Sequence, residues 1–141
     1  MQRLTFGYNF NQIIGIGVLP KNLLSLIFNF KFNEPIGLNV LPENLKYLIF
    51  GDSFCQEIDV GVLPDSLNYV EFGFFFVNRL EKEVLPKYLI KLVVGESCIR
   101  HLLSNDNLTF DIEYCVVPKN FIKRRNDIYR SIGVNVNSLN L

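Results

Sequence analysis

One interval organises this sequence: the dipeptide Leu-Pro recurs at a constant spacing. Its copies are Leu19-Pro20, Leu41-Pro42, Leu63-Pro64 and Leu85-Pro86, and the apolar residues that follow each copy keep the same spacing. A fixed period in the twenties indicates a repeat protein, in which each unit buries its apolar side only against neighbouring units. We therefore expect a solenoid of stacked coils rather than one globular core.

Each unit contains a short segment in which apolar residues alternate with other residues. The five segments are Leu4-Thr5-Phe6, Leu26-Ile27-Phe28, Leu48-Ile49-Phe50, Val70-Glu71-Phe72 and Leu92-Val93-Val94. A two-residue period is typical of a strand with one face on a core, so we predict five short parallel strands in register. The next residue is Gly, or once Asn29, which predicts a sharp turn with positive φ after each strand.

The remainder of each unit predicts turns and extended segments. Two further apolar columns run through Phe10, Phe32, Phe54, Phe76 and Cys98, and through Ile14, Ile36, Ile58, Leu80 and Leu102. Proline presets φ in the Leu-Pro-x-x-Leu segment, which predicts a tight turn or a single 3₁₀ turn before the next strand. A unit this short leaves little room for a full helix on the side opposite the strands.

The pattern changes after the fifth unit. The next strand-like triplet, Leu108-Thr109-Phe110, follows Leu92 sooner than the period requires, and a further unit would bury Arg124 without a partner. We therefore place about five repeats, the first of them partial, in a solenoid domain at residues 1–103, and an irregular C-terminal cap at residues 104–141. Apolar residues within 120–132 share one helical face and Asn120 can cap its start, which predicts a cap helix there.

These columns resemble the FNIP repeat, a relative of the leucine-rich repeat with the motif L-P-x-x-L-x-x-L-x-F-x-x-x-F-N-x-x-I. The best copies of its second half are Phe10-Asn11-Gln12-Ile13-Ile14 and Phe32-Asn33-Glu34-Pro35-Ile36. The resemblance covers about residues 3 to 103 and implies a leucine-rich-repeat-like, right-handed solenoid. Members of this family occur chiefly in social amoebae and in giant viruses of amoebae.

The resemblance also bears on function and on one polar column. Some members of the family place an F-box before the repeats, which implies presentation of substrates to a ubiquitin ligase. Too few residues precede the first strand for an F-box, so we do not expect that role of this chain by itself. The Asn of the motif can form a hydrogen-bonded ladder, which is implied only for Asn11 and Asn33, since Cys55, Val77 and Ile99 replace it later.

The strand residues that alternate with the core positions are expected to form an exposed face, the surface that solenoids commonly present to partners. The expected patch and its rim comprise Ile27, Tyr47, Ile49, Tyr69, Glu71, Lys91 and Arg3. Aromatic and apolar residues in such a cluster are typical of a protein-binding hot spot. The alternative is structural, because β-branched and aromatic residues also favour strands in general.

A second candidate surface lies at the turn that follows each strand. This turn column consists of Tyr8, Phe30, Asp52, Phe74 and Glu96. The repeat does not require its aromatic residues for the core, so Phe30 and Phe74 are candidate partner contacts. Packing against the C-terminal segment is the simpler explanation, and we favour it.

The sequence does not suggest catalysis, a cofactor or a metal site. His101 falls in an exposed column without a Ser or Cys to activate, and Asp52 and Glu96 lie on the order of 10 Å apart without a pocket. The three cysteines form no C-x-x-C pair, and Cys98 reads as a small core residue. We therefore expect that this protein is not an enzyme.

Charge and hydropathy limit the classes of partner and the cellular compartments that we expect for this protein. The 14 Lys and Arg balance 14 Asp and Glu, so no bulk attraction to nucleic acid or to an anionic membrane is expected. The run Lys123-Arg124-Arg125 is interpreted as a solvated helix face, with a nuclear or phosphate-binding patch as the alternative. The sequence has neither a signal-peptide core nor a membrane-length apolar run, which predicts a soluble, intracellular, cytoplasmic protein.

Two functions remain open. We favour a non-enzymatic scaffold for protein–protein interaction, which could present or recruit a host protein as the F-box relatives imply. The alternative is an assembly module that self-associates through its first coil. An open solenoid end around Leu4, Phe6 and Phe10 would expose strand edges and apolar rings to water.

Overall fold

The computed structural model describes residues 2–95, and the backbone of residues 113–117. The described strands form one parallel sheet in chain order. They are β1 (Arg3–Thr5), β2 (Ser25–Ile27), β3 (Tyr47–Ile49), β4 (Tyr69–Glu71), β5 (Lys91–Gly95) and β6 (Glu113–Val117). A short 3₁₀ helix at Lys82–Val84 precedes the last Leu-Pro turn. The prediction of a leucine-rich-repeat-like parallel solenoid is confirmed.

The register of the sheet follows the period of the sequence. Arg3 lies opposite Ser25, which lies opposite Tyr47, and the same offset continues through Tyr69 and Lys91. Residues of one column are therefore neighbours in space, about 4.8 Å apart from strand to strand. From β1 to β4, each side chain of the sheet has its counterpart from the next repeat beside it.

The sixth strand was not predicted from the sequence. Glu113 pairs with Lys91 and Val117 with Gly95, so the interval that separates the Leu-Pro dipeptides holds for one strand beyond residue 103. The period itself carried the signal, because Tyr114 continues the strand column of Leu92. The triplet at 108–110 and the predicted cap helix near 120–132 lie outside the described residues. The division into two domains at residue 103 stays a prediction.

The core lies under one face of the sheet and is built from stacked phenylalanine rings. Within a coil, two rings stack closely, with centroids 3.9 Å apart for Phe28 and Phe32 and 4.0 Å apart for Phe50 and Phe54. Between coils, Phe28 stacks on Phe50 at 5.7 Å and Phe32 on Phe54 at 6.0 Å, with interplanar angles of 10° and 0°. Offset stacking adds to the burial of these large apolar side chains.

Backbone hydrogen bonds join each coil to the next at repeating positions. The Phe28 amide donates to the Ile49 carbonyl at 2.8 Å, and the Phe50 amide donates to the Glu71 carbonyl at 2.8 Å. At the implied ladder, Asn11 Oδ1 accepts the Asn33 amide at 2.8 Å. Asn33 Oδ1 accepts the Cys55 amide at 2.9 Å, so both asparagines of the expected ladder bridge adjacent coils.

The Leu-Pro segments form the predicted single turns. In all four copies the second Leu donates its amide to the Pro carbonyl three residues earlier, as Leu45 does to Pro42 at 3.1 Å. This bond re-aims the chain into the following strand. The proline sets φ at the start of the turn, where its missing amide is not needed.

The turn that follows each strand differs from the expectation of positive φ. Among the described residues, positive φ occurs at Gly17, Asn39 and Gly61, in the turn that precedes Leu-Pro. Gly51 and Gly73 are needed for space instead. A Cβ on Gly51 would overlap the Asn29 carbonyl, because adjacent coils approach closely at this turn. The prediction of left-handed backbone after the strands is therefore wrong.

Truncation of a stacked ring should cost more in the middle of the solenoid than at its N-terminal coil. Phe50 is fully buried between two coils, whereas Phe6 is half-buried with a coil on one side. We expect Phe50→Ala to lower the free energy of unfolding by roughly 3 to 5 kcal/mol, and Phe6→Ala by clearly less. Urea denaturation of both variants tests this, and equal losses would contradict it.

Candidate functional site

The outer face of the sheet is mostly buried. Its middle column includes Ile27, Ile49 and Glu71, which are only 1%, 0% and 2% exposed, and Tyr69 beside them is also buried. None of the four belongs to the phenylalanine core, which lies on the opposite face. The expectation that these four residues form an exposed patch is therefore wrong.

Side chains within this face account for part of the burial. The Tyr69 hydroxyl donates to Glu71 Oε2 at 2.9 Å. These residues are two apart on one strand, so the phenol lies along the face and its hydroxyl packs against the Glu71 carboxylate. Alternation predicts which side chains point away from the core. It does not predict whether other side chains cover them.

Part of the predicted patch does reach solvent. Tyr47 and Arg3 are exposed and Lys91 is half-buried, and the Tyr47 ring lies 6.3 Å from that of Tyr69. These residues sit on the rim of the strand face. The solvent-exposed part of the strand face is therefore its polar and aromatic rim, and the apolar centre that was expected to be exposed is buried.

The turn column is partly exposed and makes structural contacts. The rings of Tyr8 and Phe30 stack at 5.1 Å with an interplanar angle of 2°. One rung further on, Asp52 Oδ1 accepts the Phe74 amide at 3.1 Å. Asp52 thus ties two coils together. Glu96, the second carboxylate of the acid–base pair considered with Asp52, lies outside the described residues.

The described residues do not form a cluster of metal-ligating side chains. Across residues 2–95, no three His, Cys, Asp or Glu side chains come together as a metal site. The same part of the chain contains no helix long and apolar enough to cross a membrane. Cys98, His101 and the run Lys123-Arg124-Arg125 lie outside it. Cys55 is a free, exposed thiol on the asparagine ladder.

An exposed aliphatic stripe emerges that was not predicted from the sequence. Ile16, Leu38 and Val60 occupy one column on three successive coils and are 71%, 54% and 62% exposed. Each precedes the left-handed residue of its turn and so lies at an outer corner. A Cβ at Gly61 would meet Leu38 Cδ2 at 3.3 Å, so Leu38 already leans onto the following coil.

The turns that carry this aliphatic stripe do not themselves require an apolar residue there. The turn needs only Gly or Asn at the next position, and any polar side chain could fill an outer corner. The signal in the sequence is therefore the aliphatic residue before the left-handed position, in Ile16-Gly17, Leu38-Asn39 and Val60-Gly61. The column is not apolar throughout, because the fourth copy carries Lys82.

The first coil exposes residues whose counterparts are buried. Val18 is 67% exposed, whereas Val40, at the same place in the next coil, is 8% exposed. Leu4, Phe6 and Phe10 are likewise only partly buried against the core. These four residues, Leu4, Phe6, Phe10 and Val18, define the N-terminal end face. Within the described residues, no coil lies on its outer side.

Comparison with known proteins agrees with this architecture. A family model described as FNIP Repeat matches residues 2–31 and 32–75, which is more than half of the chain. Among solved structures, a match is the crystal structure of CroV588, described as a novel circular LRR protein structure and coming from a giant virus. The TM-score is 0.80 and the sequence identity is 39%. No curated protein matches significantly.

The matched structure is much larger than this chain. The alignment covers 84% of this chain and 18% of that one. The two share the stacked-coil fold, and this chain spans less than a fifth of the matched structure's length.

Thiol labelling can test the assignment of exposed and buried columns. We expect a maleimide to label Leu38→Cys rapidly, because its side chain stands at an outer corner. Ile49→Cys should react only when the coil opens, since Ile49 is fully buried. Peptide mass spectrometry on a Cys55→Ser background locates the label. Equal rates at the two sites would contradict the assignment.

Proposed function

Because this chain belongs to the FNIP repeat family, we propose that it is a non-enzymatic scaffold that binds another protein through the aliphatic stripe. The observation that carries the proposal is the exposure of Ile16, Leu38 and Val60 on three successive coils. Single exposed apolar residues are common, but a contiguous set is typical of an interaction surface. Solenoids commonly offer such extended surfaces to partners.

The geometry of the stripe indicates what it would bind. Three rungs spaced by about 4.8 Å extend over about 10 Å, close to two turns of an α-helix. A partner helix with apolar residues at i, i+3 or i+4 would match this length. The balance of 14 basic and 14 acidic residues favours a protein over a nucleic acid or an anionic membrane.

The finer form of this proposal is the recruitment of a host protein. It is supported by the resemblance to relatives that combine these repeats with an F-box. In such an arrangement the solenoid supplies the binding surface and a separate module supplies the link to the ligase. In this chain, the aliphatic stripe would be the binding surface of such an arrangement.

A second candidate function is self-association through the N-terminal end face. Its support is the contrast between Val18 and the buried Val40, together with the partly buried rings of Phe6 and Phe10. Covering these residues would remove apolar surface from water. A second copy of the chain could provide that cover.

Removing the stripe should abolish partner capture without unfolding the protein. Wild-type protein and the triple variant Ile16→Ser, Leu38→Ser, Val60→Ser are immobilised and used to capture proteins from amoebal lysate, which are identified by mass spectrometry. For a captured partner, the dissociation constant should rise by about tenfold or more per substitution, as expected for apolar anchors.

The matched control is the double variant Tyr88→Ser, Ile90→Ser, which removes similarly exposed apolar residues outside the stripe. It should bind like the wild type, and circular dichroism should show all variants folded. Loss of binding in the control, or unchanged binding in the triple variant, would reject the stripe as the site.

A further inference from the structure

We propose that two copies of this chain pair through β1 in antiparallel orientation, forming a symmetric dimer with one continuous sheet. This inference rests on self-association as the second proposed function and specifies its geometry. It is independent of partner binding by the aliphatic stripe. The argument comes from the direction of backbone groups on β1, from their self-complementarity, and from the apolar residues beside them.

The hydrogen bonds between β1 and β2 fix which groups face each other. The Ser25 amide donates to the Gln2 carbonyl at 2.9 Å, and the Ile27 carbonyl accepts the Phe6 amide at 3.0 Å. Ser25 and Ile27 thus direct their backbone groups toward β1. The intervening Leu26 directs its groups toward β3, because backbone groups alternate in direction along a strand.

The same alternation applies to β1, which is in register with β2. Arg3 is the counterpart of Ser25 and Thr5 is the counterpart of Ile27. Their amide and carbonyl groups therefore point away from β2, to the outer edge of the sheet. Within residues 2–95 and 113–117, none of the hydrogen bonds uses these four groups. Such an edge is a template for pairing with another strand.

This edge is complementary to itself. In an antiparallel pair, two opposed residues can exchange both of their backbone hydrogen bonds. If Arg3 lies opposite Thr5 of the second copy, then Thr5 lies opposite Arg3 of the second copy. All outward amide and carbonyl groups of both strands would then be hydrogen-bonded. Leu4 then lies opposite Leu4 on the two-fold axis. Closed two-fold symmetry is also the commonest arrangement of homo-oligomers.

Charge favours this register over its neighbour. Centring the axis on Arg3 would place the two Arg3 side chains directly opposite each other, and like charges in that position are destabilising. Centring it on Leu4 places each Arg3 beside a Thr5 hydroxyl instead. The register is therefore selected by the identity of the outward side chains as well as by the backbone.

The apolar residues of the end face support the same contact. Leu4 points to the core side of the sheet, where its counterpart Leu26 is fully buried. Phe6 and Phe10 are, like Leu4, only partly buried against the core at this end, and Val18 of the same coil is exposed. Pairing of two end faces would extend the sheet over a joint apolar core, so that backbone pairing and burial act together.

A disulfide at the two-fold axis tests this geometry. Opposed residues in a non-hydrogen-bonded antiparallel pair have Cα atoms about 4.5 Å apart, within the range that a disulfide spans. On a Cys55→Ser background, Leu4→Cys should oxidise to a covalent dimer whose bridge maps to position 4 by mass spectrometry. Thr5→Cys is the matched control and should not bridge to itself, because each Thr5 faces an Arg3.

Sedimentation velocity over a dilution series supplies the second measurement. The parent protein should show a monomer–dimer equilibrium. Thr5→Pro should shift it to monomer by removing an outward amide, while Thr5→Val keeps that amide and should preserve the dimer. Circular dichroism confirms that each variant is folded.

The outcomes separate the possible failures. A parent protein that is monomeric at every concentration would overturn both self-association and this inference, and would leave stripe binding intact. A dimer that neither bridges at position 4 nor responds to Thr5→Pro would retain self-association and overturn the antiparallel β1 contact. A head-to-tail stack would give this second result.

Discussion

The stacking of each coil on its neighbours is the constraint on which the rest of this structure depends. Two columns of phenylalanine rings run through the described solenoid, and Phe50 contacts Phe28 on one side and Phe72 on the other. Rings can stack in this way only if every unit has the same length and path. The constant interval between Leu-Pro dipeptides and the space-limited Gly51 both follow from this requirement.

Most of the fold could be predicted because a period in the sequence becomes a neighbour relation in space. The strands, the Leu-Pro turns and the ladder of Asn11 and Asn33 all follow from reading columns. β6 could have been found in the same way, since Tyr114 continues the column of Leu92. The apolar triplet at 108–110 offers a competing strand pattern that is out of step with the period.

The candidate site was harder to predict, for two physical reasons. Alternation shows that Ile27 and Glu71 point away from the core, but their burial depends on what packs on that face, as the Tyr69 hydroxyl packs on Glu71. The residues of the aliphatic stripe lie at turn corners, where propensity concerns the left-handed residue that follows them. Exposure depends on how the side chains of the whole surface pack, so a single column of the sequence predicts it only weakly. The proposed surfaces therefore lie at the turn corners and at the N-terminal end face, and the sheet face exposes mainly its rim.

Native-state hydrogen exchange on dilute protein tests most directly whether neighbouring coils stabilise one another. The amides of Phe6, Phe28 and Phe50 make equivalent bonds to the next coil, at 3.0, 2.8 and 2.8 Å. If stability comes from neighbour contacts, protection should rise from Phe6 to Phe50, because the first described coil has one neighbour and the third has two. Equal protection at all three amides would contradict that account.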